Sequence, residues 1–333
     1  MKSIKHLKKI CLCFVLLCTG GVASAAQYTM KIGTATINDA QHEWMKRFAA
    51  QVEKDSGNRI KVDIFPASQL GSIPKTIEQV QFNSAQGWIG PAEFLSGVDS
   101  RFGVIGSPGI FRDVEHVTKV INDEKFSTVA LKIGEKKGIE GLGMFISGPV
   151  SFVSSRPLST LADFKGMKIR VTASAIQMEQ VKEMGASAVP MSLGEVLPAL
   201  QQGALDGVMG NAPVFANLHY YGVAKNQLLT DQSMYVSYVA VSRIWLDALP
   251  PDLRKVVEDD ARKVSVGIYD FAKNEIERSL DEWRKGGGTI TRLSSTDQAA
   301  LFKLLKPVGR KIASRKPADL KFFDLMTEVA DRY

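Results

Sequence analysis

Residues 161–213 read LADFKGMKIRVTASAIQMEQVKEMGASAVPMSLGEVLPALQQGALDGVMGNAP, and this stretch decides the fold. Lys165-Gly166 is a turn signal, and residues 167–171 after it form a short strand that contains Arg170. A helical segment follows, with Val181 and Met184 apolar and Gly185 as its stop. Residues 186–191 are extended. Ser192 and Glu195 make an S-x-x-E pattern, which predicts a capping box at the start of the next helix. Gly203 ends that helix, and residues 205–208 predict another strand. Strand–helix–strand–helix–strand is the pattern of an α/β domain. It places Arg170 near the C-terminal end of one strand and Asn211 just beyond another. In open α/β sheets that edge takes the ligand.

On the N-terminal side, residues 28–35 alternate through Tyr28, Met30 and Ile32 and predict a strand. Asn38 and Asp39 can cap a helix whose inner side is Trp44, Phe48 and Val52. Ser56-Gly57-Asn58 breaks it. Ile60, Val62 and Ile64 form a second strand, closed by Phe65-Pro66. A helix is predicted at about 74–83 and a third strand at 86–90, with Trp88 in it. This βαβαβ opening argues for a parallel sheet. Residues 91–111 are rich in Gly and Pro and show no period, so no elements are assigned there. Residues 113–132 read as mostly helical, and 141–153 as an apolar strand that leads into the opening stretch. The chain is expected to cross between two lobes near 148–150 and to return through SMYVSYVAVS at 233–242, after a helical segment at 214–228. Lobe I is then 26–148 with about 237–265, and lobe II is 149–236 with about 266–333.

Residues 251–285 contain no proline after Pro251 and one glycine, Gly267, and they keep a helical period from Leu253 to Trp283. A single helix of roughly 35 residues would span about 50 Å and brace both lobes; two helices with a bend at Gly267 fit the same pattern. Residues 295–333 predict two further helices.

Residues 1–25 read as an export signal. Lys2, Lys5, Lys8 and Lys9 precede an apolar core at 10–17, and Ala23-Ser24-Ala25 is a cleavage site, so cleavage near Ala25 and a periplasmic location are expected. The apolar run is too short to span a bilayer. All three cysteines, Cys11, Cys13 and Cys18, lie in this segment, which leaves none for disulfides, thiol catalysis or metal ligation after cleavage. Leu16-Leu17 before Cys18 argues against a lipobox, which needs a small residue there. Four of the 42 basic residues and none of the 35 acidic ones lie in the signal, so the formal charge of +7 falls to +3. With no long basic run, nucleic acid is not an expected partner. The 308 remaining residues suffice for two domains with ordinary cores.

Enzymatic motifs are missing from the sequence. His42, His116 and His219 are scattered without metal-ligand spacing, and no G-x-S-x-G elbow occurs. Gly286-Gly287-Gly288 lacks the Lys-Ser/Thr of a phosphate loop and follows a helix, as a C-cap does. Asp259-Asp260 and Asp281-Glu282 fit a solvated helix face. No catalysis, cofactor or metal is therefore expected. Arg170 is either a surface residue beside a turn or a planar fork for a carboxylate. Trp88 and Tyr235 each admit a cleft-facing and a core placement.

FPASQLG at 65–71, LADFKGMKIRV at 161–171, GASAVPMSLGEVLPALQQGALDG at 185–207 and LPPDLRKVVEDDA at 249–261 together resemble the substrate-binding proteins of TRAP (tripartite ATP-independent periplasmic) transporters, the DctP-like family. The resemblance covers essentially the whole chain after the signal. It implies an α/β fold of two lobes with hinge strands, a long helix across both, and closure over a ligand. It implies a small organic acid as ligand and the membrane permease subunits of a TRAP transporter as partner, with the protein itself a monomer. Arg170 falls on the family's carboxylate-binding arginine. The expected ligand-binding residues are Arg170, Asn211, Gly210, Trp88 and Tyr235.

Several positions depart from the family pattern. Val150 stands where many members carry a second cleft arginine, Gly210 where an asparagine falls, with Asn211 adjacent, and Leu193 where an aromatic is frequent. Ala35 and Pro91 replace polar groups of sugar-acid binders. A second buried carboxylate without a partner would be costly, so these departures imply a monocarboxylate with an apolar or weakly polar body. Delivery of the ligand to a chemoreceptor or sensor kinase, a periplasmic enzyme acting on an organic acid, and the binding protein of an ATP-driven importer are the competing readings. The lack of His or Cys in 160–213 argues against the enzyme, and the helical region at 251–285 against the importer.

Overall fold

The computed structural model describes residues 26–333, so the export signal expected at 1–25 lies outside the described residues. The alternating and helical segments of the first part become β1 (Tyr28–Thr34), α1 (Ala40–Asp55), β2 (Ile60–Phe65), α2 (Ile73–Gln81) and β3 (Gly87–Pro91). β1 pairs in parallel with both β2 and β3, as the βαβαβ order predicts. α1 begins where the Asp39 carboxylate accepts from the His42 N–H at 2.9 Å. Its inner face, with Trp44, Phe48 and Val52, is fully buried. Residues 91–111 hold a 3₁₀ turn at Ala92–Gly97 and the one-turn helix α3 (Arg101–Val104), elements too short to leave a period. α4 (Val114–Asn122) and α5 (Glu124–Ala130) follow.

The next part supplies β4 (Ile139–Ser154), β5 (Lys168–Val171), α6 (Ala175–Glu183), β6 (Ser187–Pro190), α7 (Leu193–Gln201), β7 (Gly207–Gly210), α8 (Ala212–Asn217) and β8 (Asn226–Ser242). β5 pairs in parallel with β6 and β7. Two long antiparallel strands, β4 of 16 residues and β8 of 17, join this group to the first. The described residues thus form one nine-stranded sheet in a two-lobed α/β architecture, with eight strands ordered β2-β1-β3-β8-β4-β7-β5-β6 and the ninth, near the C-terminus, paired with β8. The β4–β8 register shifts between Ile146 and Gly148 and again between Pro149 and Ser151. Such bulges bend a strand and raise its twist. Gly148 sits there at φ +130°, a conformation that L side chains rarely adopt.

The chain closes with α9 (Arg243–Asp247), α10 (Pro251–Gly267), α11 (Tyr269–Lys285), β9 (Thr289–Arg292), α12 (Ser295–Ala313) and α13 (Pro317–Ala330). Of the two readings of 251–285, two helices form, separated by Ile268 alone. The Gly267 carbonyl accepts from Arg47 Nη1 at 3.1 Å, and a side-chain donor on a ladder carbonyl is a recognised cause of kinks. α10 packs on α1 and β4, with Trp44 Nε1 donating to Ser265 at 2.9 Å, whereas α11 packs on α8 and β9. The pair therefore lies across both halves of the sheet. α13, which the sequence division put in lobe II, packs on α3, α4 and α5 of the first half. His116 Nε2 meets the Ala330 carbonyl at 2.9 Å, and Phe322 stacks on Phe126 at 5.4 Å.

Three local expectations fail. The Ser192–Glu195 capping box does not form: Ser192 is the N-cap, but its side chain makes no capping bond, and its backbone carbonyl takes the Glu195 N–H at 3.1 Å. A reciprocal box occurs instead at Thr160 and Asp163. The helix expected at 214–228 stops at Asn217, because His219 adopts a left-handed φ of +55°, and β8 already begins at Asn226. The strand expected at 205–208 is displaced to Gly207–Gly210. Asp206 is held outside it by hydrogen bonds with the Lys168 backbone, at 2.9 Å from its own N–H and 2.7 Å to its carboxylate.

Candidate functional site

The C-terminal ends of β1, β3, β5 and β7 converge on a cavity of ≈ 40 Å³, the location that the sheet-edge rule predicts. The structure brings all five sequence-selected residues, Trp88, Arg170, Gly210, Asn211 and Tyr235, into its lining. Ala35, Pro91 and Leu193 line it too. Val150 is buried in β4 and does not.

Arg170 enters from β5, paired in the sheet with Val189 and Val208, and only 3% of it is exposed. Its Nε and Nη2 donate to the Met191 carbonyl at 3.0 and 2.8 Å, and Phe94 lies 5.6 Å from the guanidinium. A guanidinium has five N–H donors. The Met191 carbonyl occupies the Nε–Nη2 side, which leaves one hydrogen on Nη1 and one on Nη2 along the outer edge. That edge matches a carboxylate bidentately. Among the described residues no Asp or Glu forms an ion pair with Arg170. Burial lowers its pKa from the ordinary arginine value, opposed in part by the phenols of Tyr235 and Tyr220. Among the described residues Arg170 is the only Lys, Arg or His that lines the cavity.

The other selected residues have more internal roles. Tyr235 is buried on β8, and its oxygen accepts from Gln177 Nε2 at 3.1 Å, so its own hydrogen remains to donate. Burial raises the Tyr235 pKa well above that of a free phenol, and nearby Glu93 raises it further. Trp88 is at once core and cavity wall, 1% exposed and edge-on to Phe94 at 6.4 Å. Asn211 caps α8 by accepting from the Val214 N–H at 3.2 Å, and it donates to the Ser147 carbonyl at 2.8 Å. Its second amide hydrogen has no acceptor among the described residues. Gly210 leaves room for Phe215, whose ring carbons would lie 2.7 and 2.8 Å from an added Cβ. Gly210→Asn is therefore expected to destabilise the fold by about 1–3 kcal/mol through overpacking. An unchanged melting temperature would show that Phe215 moves aside freely.

Sequence reading missed Thr36, Gln41, Phe94 and Thr172, which also line the cavity. One signal was present. Gln41 lies in phase with Trp44, Phe48 and Val52 on the inner face of α1, where a polar residue is out of place. Met191, which orients Arg170, comes from a loop 21 residues away and carried no signal. Among the described residues there is no cluster of His, Cys, Asp and Glu suited to a metal ion, and no helix long and apolar enough to cross a membrane.

Comparison with known proteins identifies the family. Residues 33–316 match the family described as bacterial extracellular solute-binding protein, family 7. The C4-dicarboxylate-binding periplasmic protein DctP of Rhodobacter capsulatus is 28% identical over 283 residues, 82% of each chain. The sialic acid-binding periplasmic protein SiaP of Vibrio cholerae is 26% identical over 291 residues, 86% of this chain and 90% of its own. Among solved structures, a TRAP periplasmic solute-binding protein from Desulfovibrio salexigens with bound orotic acid superposes with a TM-score of 0.87 at 26% identity, covering 92% of this chain and 99% of that one. These relatives are ligand-binding subunits of transporters and not enzymes. The chain belongs to the bacterial extracellular solute-binding proteins of family 7, the periplasmic binding proteins that serve TRAP transporters.

Proposed function

We propose that this protein captures a small monocarboxylate between its two lobes and delivers it to the membrane permease of a TRAP transporter. The carrying observation is Arg170, a buried guanidinium with no carboxylate partner and a free donor edge at an otherwise neutral cavity. A buried unpaired cation is unfavourable, and an anionic ligand supplies the missing partner. The Tyr235 hydroxyl and the second Asn211 amide hydrogen are the further donors for it, Trp88 shapes the wall, and Gly210 lets Phe215 pack behind the site.

Size and charge narrow the class. A cavity of ≈ 40 Å³ has room for only a few waters at roughly 10–15 Å³ each, so the ligand is short. Ile73, Trp88, Ile89 and Val214 make much of the wall apolar, and a second carboxylate would meet no second cation. Residues 1–25 direct export with cleavage near Ala25, and the mature chain works as a monomer in the periplasm. The lining comes from both halves of the sheet, so entry requires them to part. Lobe I is built around β1 to β3 and lobe II around β5 to β7, with the register shifts at 146–151 as the hinge.

A thermal-shift panel of mono-, oxo-, hydroxy- and dicarboxylates tests the reading. An acid at 100 times its dissociation constant stabilises by about 2.7 kcal/mol, a readily measured shift. Short monocarboxylates are expected to raise the melting temperature. A rise with dicarboxylates alone would refute the single-anchor reading.

A further inference from the structure

Gln41 lies across the cleft from Arg170: it enters from α1 in the first half of the sheet, Arg170 from β5 in the second. Its residue is buried to 4% exposure and lines the cavity. Gln41 Oε1 accepts from the Thr34 hydroxyl at 2.7 Å, and Thr34 Oγ1 lies 3.3 Å from Thr36 Oγ1. A threonine has one hydroxyl hydrogen. Thr34 directs it to Gln41, so the Gln41 amide has its oxygen toward Thr34 and its NH₂ turned the other way. Among the described residues Gln41 Nε2 has no hydrogen-bond partner, yet it is not one of the fully enclosed orphan atoms of the interior. A buried polar residue with an idle donor at a cavity wall is a reading head, because a ligand without an acceptor leaves that donor unpaired.

We infer that Gln41 is a specificity-determining residue that restricts the ligand to short oxo- or hydroxy-monocarboxylates. The carboxylate lies on the Arg170 edge, and the neutral oxygen on the rest of the ligand accepts from Gln41 Nε2. This rests on the monocarboxylate reading above. A neutral amide does not offset the desolvation of a second carboxylate, and a plain aliphatic acid leaves the amide unmatched.

Calorimetric titration of the mature protein with matched pairs, pyruvate against propionate and 2-oxobutyrate or 2-hydroxybutyrate against butyrate, tests it. Wild type is expected to bind an oxygen-bearing member about tenfold or more tightly than its plain partner. In Gln41→Met that ratio is expected to fall to about twofold or less, because the plain acid no longer leaves an amide unpaired. The ratio within one variant does not depend on the fraction of active protein, so partial misfolding does not imitate the effect. A wild-type ratio near one, or a ratio that survives in Gln41→Met, overturns the assignment. In either case the monocarboxylate reading still stands if Arg170→Met abolishes binding of both members. If wild type binds no acid of either kind, both fall together.

Discussion

Arg170→Met is expected to weaken binding of the cognate acid by roughly 2–5 kcal/mol, since truncation of one partner of a buried, hydrogen-bonded charge pair typically costs that much. The cause is specific to this site. Among the described residues Arg170 is the only cationic side chain on the cavity wall, so no neighbour takes over the carboxylate. The unliganded protein should suffer much less. Removing an unpaired buried cation relieves a desolvation penalty, which offsets the Met191 carbonyl left without its two donors. The expected signature is a large loss of affinity in calorimetry with a small change in unliganded melting temperature. Arg170→Lys should recover little, because an ammonium cannot hold the Met191 carbonyl and present a planar edge to the ligand together. Unchanged affinity in Arg170→Met would remove the anchor from the account.

A second large effect is expected in the pH dependence of stability. Two buried carboxyl groups have pKa values raised to about 8. Glu93 is raised by burial, with its Oε2 unpartnered. Glu275 is raised by burial and then by Asp39, and it accepts from the Ala40 N–H at 2.8 Å. In the unfolded chain both titrate near 4.5. Between about 4.5 and about 8 the folded state therefore holds protons that the unfolded state has released. Stability then falls as pH rises through this window. The expected loss is on the order of a few kcal/mol per group, from about 1.36 kcal/mol per pKa unit. Glu93→Gln removes one titration while keeping the shape. Its melting temperature should equal or trail that of wild type at pH 5 and exceed it above pH 8. Parallel curves for the two proteins across that range would refute the assignment.

Periodic parts of the chain were legible from sequence because their physics is local. Alternation in Tyr28–Thr34 and the four-residue spacing of Trp44, Phe48 and Val52 report burial directly. Arg170 was singled out by the family resemblance, since by position alone a cation beside a turn fits a surface placement equally well. The failures share a different character. The S-x-x-E pattern at 192–195 was present, but a backbone carbonyl satisfied the helix start. At the break after Gly267 the carbonyl is bonded by Arg47, 220 residues away. Gln41 was absorbed into an apolar stripe, and the Thr34 bond that gives it an idle amide appears only in three dimensions. The family pattern expects an asparagine at 210. The Phe215 ring packed there accounts for the glycine.

The most direct test of the central claim is a crystal structure of the mature protein with an acid that raises its melting temperature. The account predicts the carboxylate on the Nη1–Nη2 edge of Arg170, with Nε and Nη2 still bonded to the Met191 carbonyl. A carboxylate bound elsewhere in the cleft, with Arg170 bonded to Met191 alone, would contradict it.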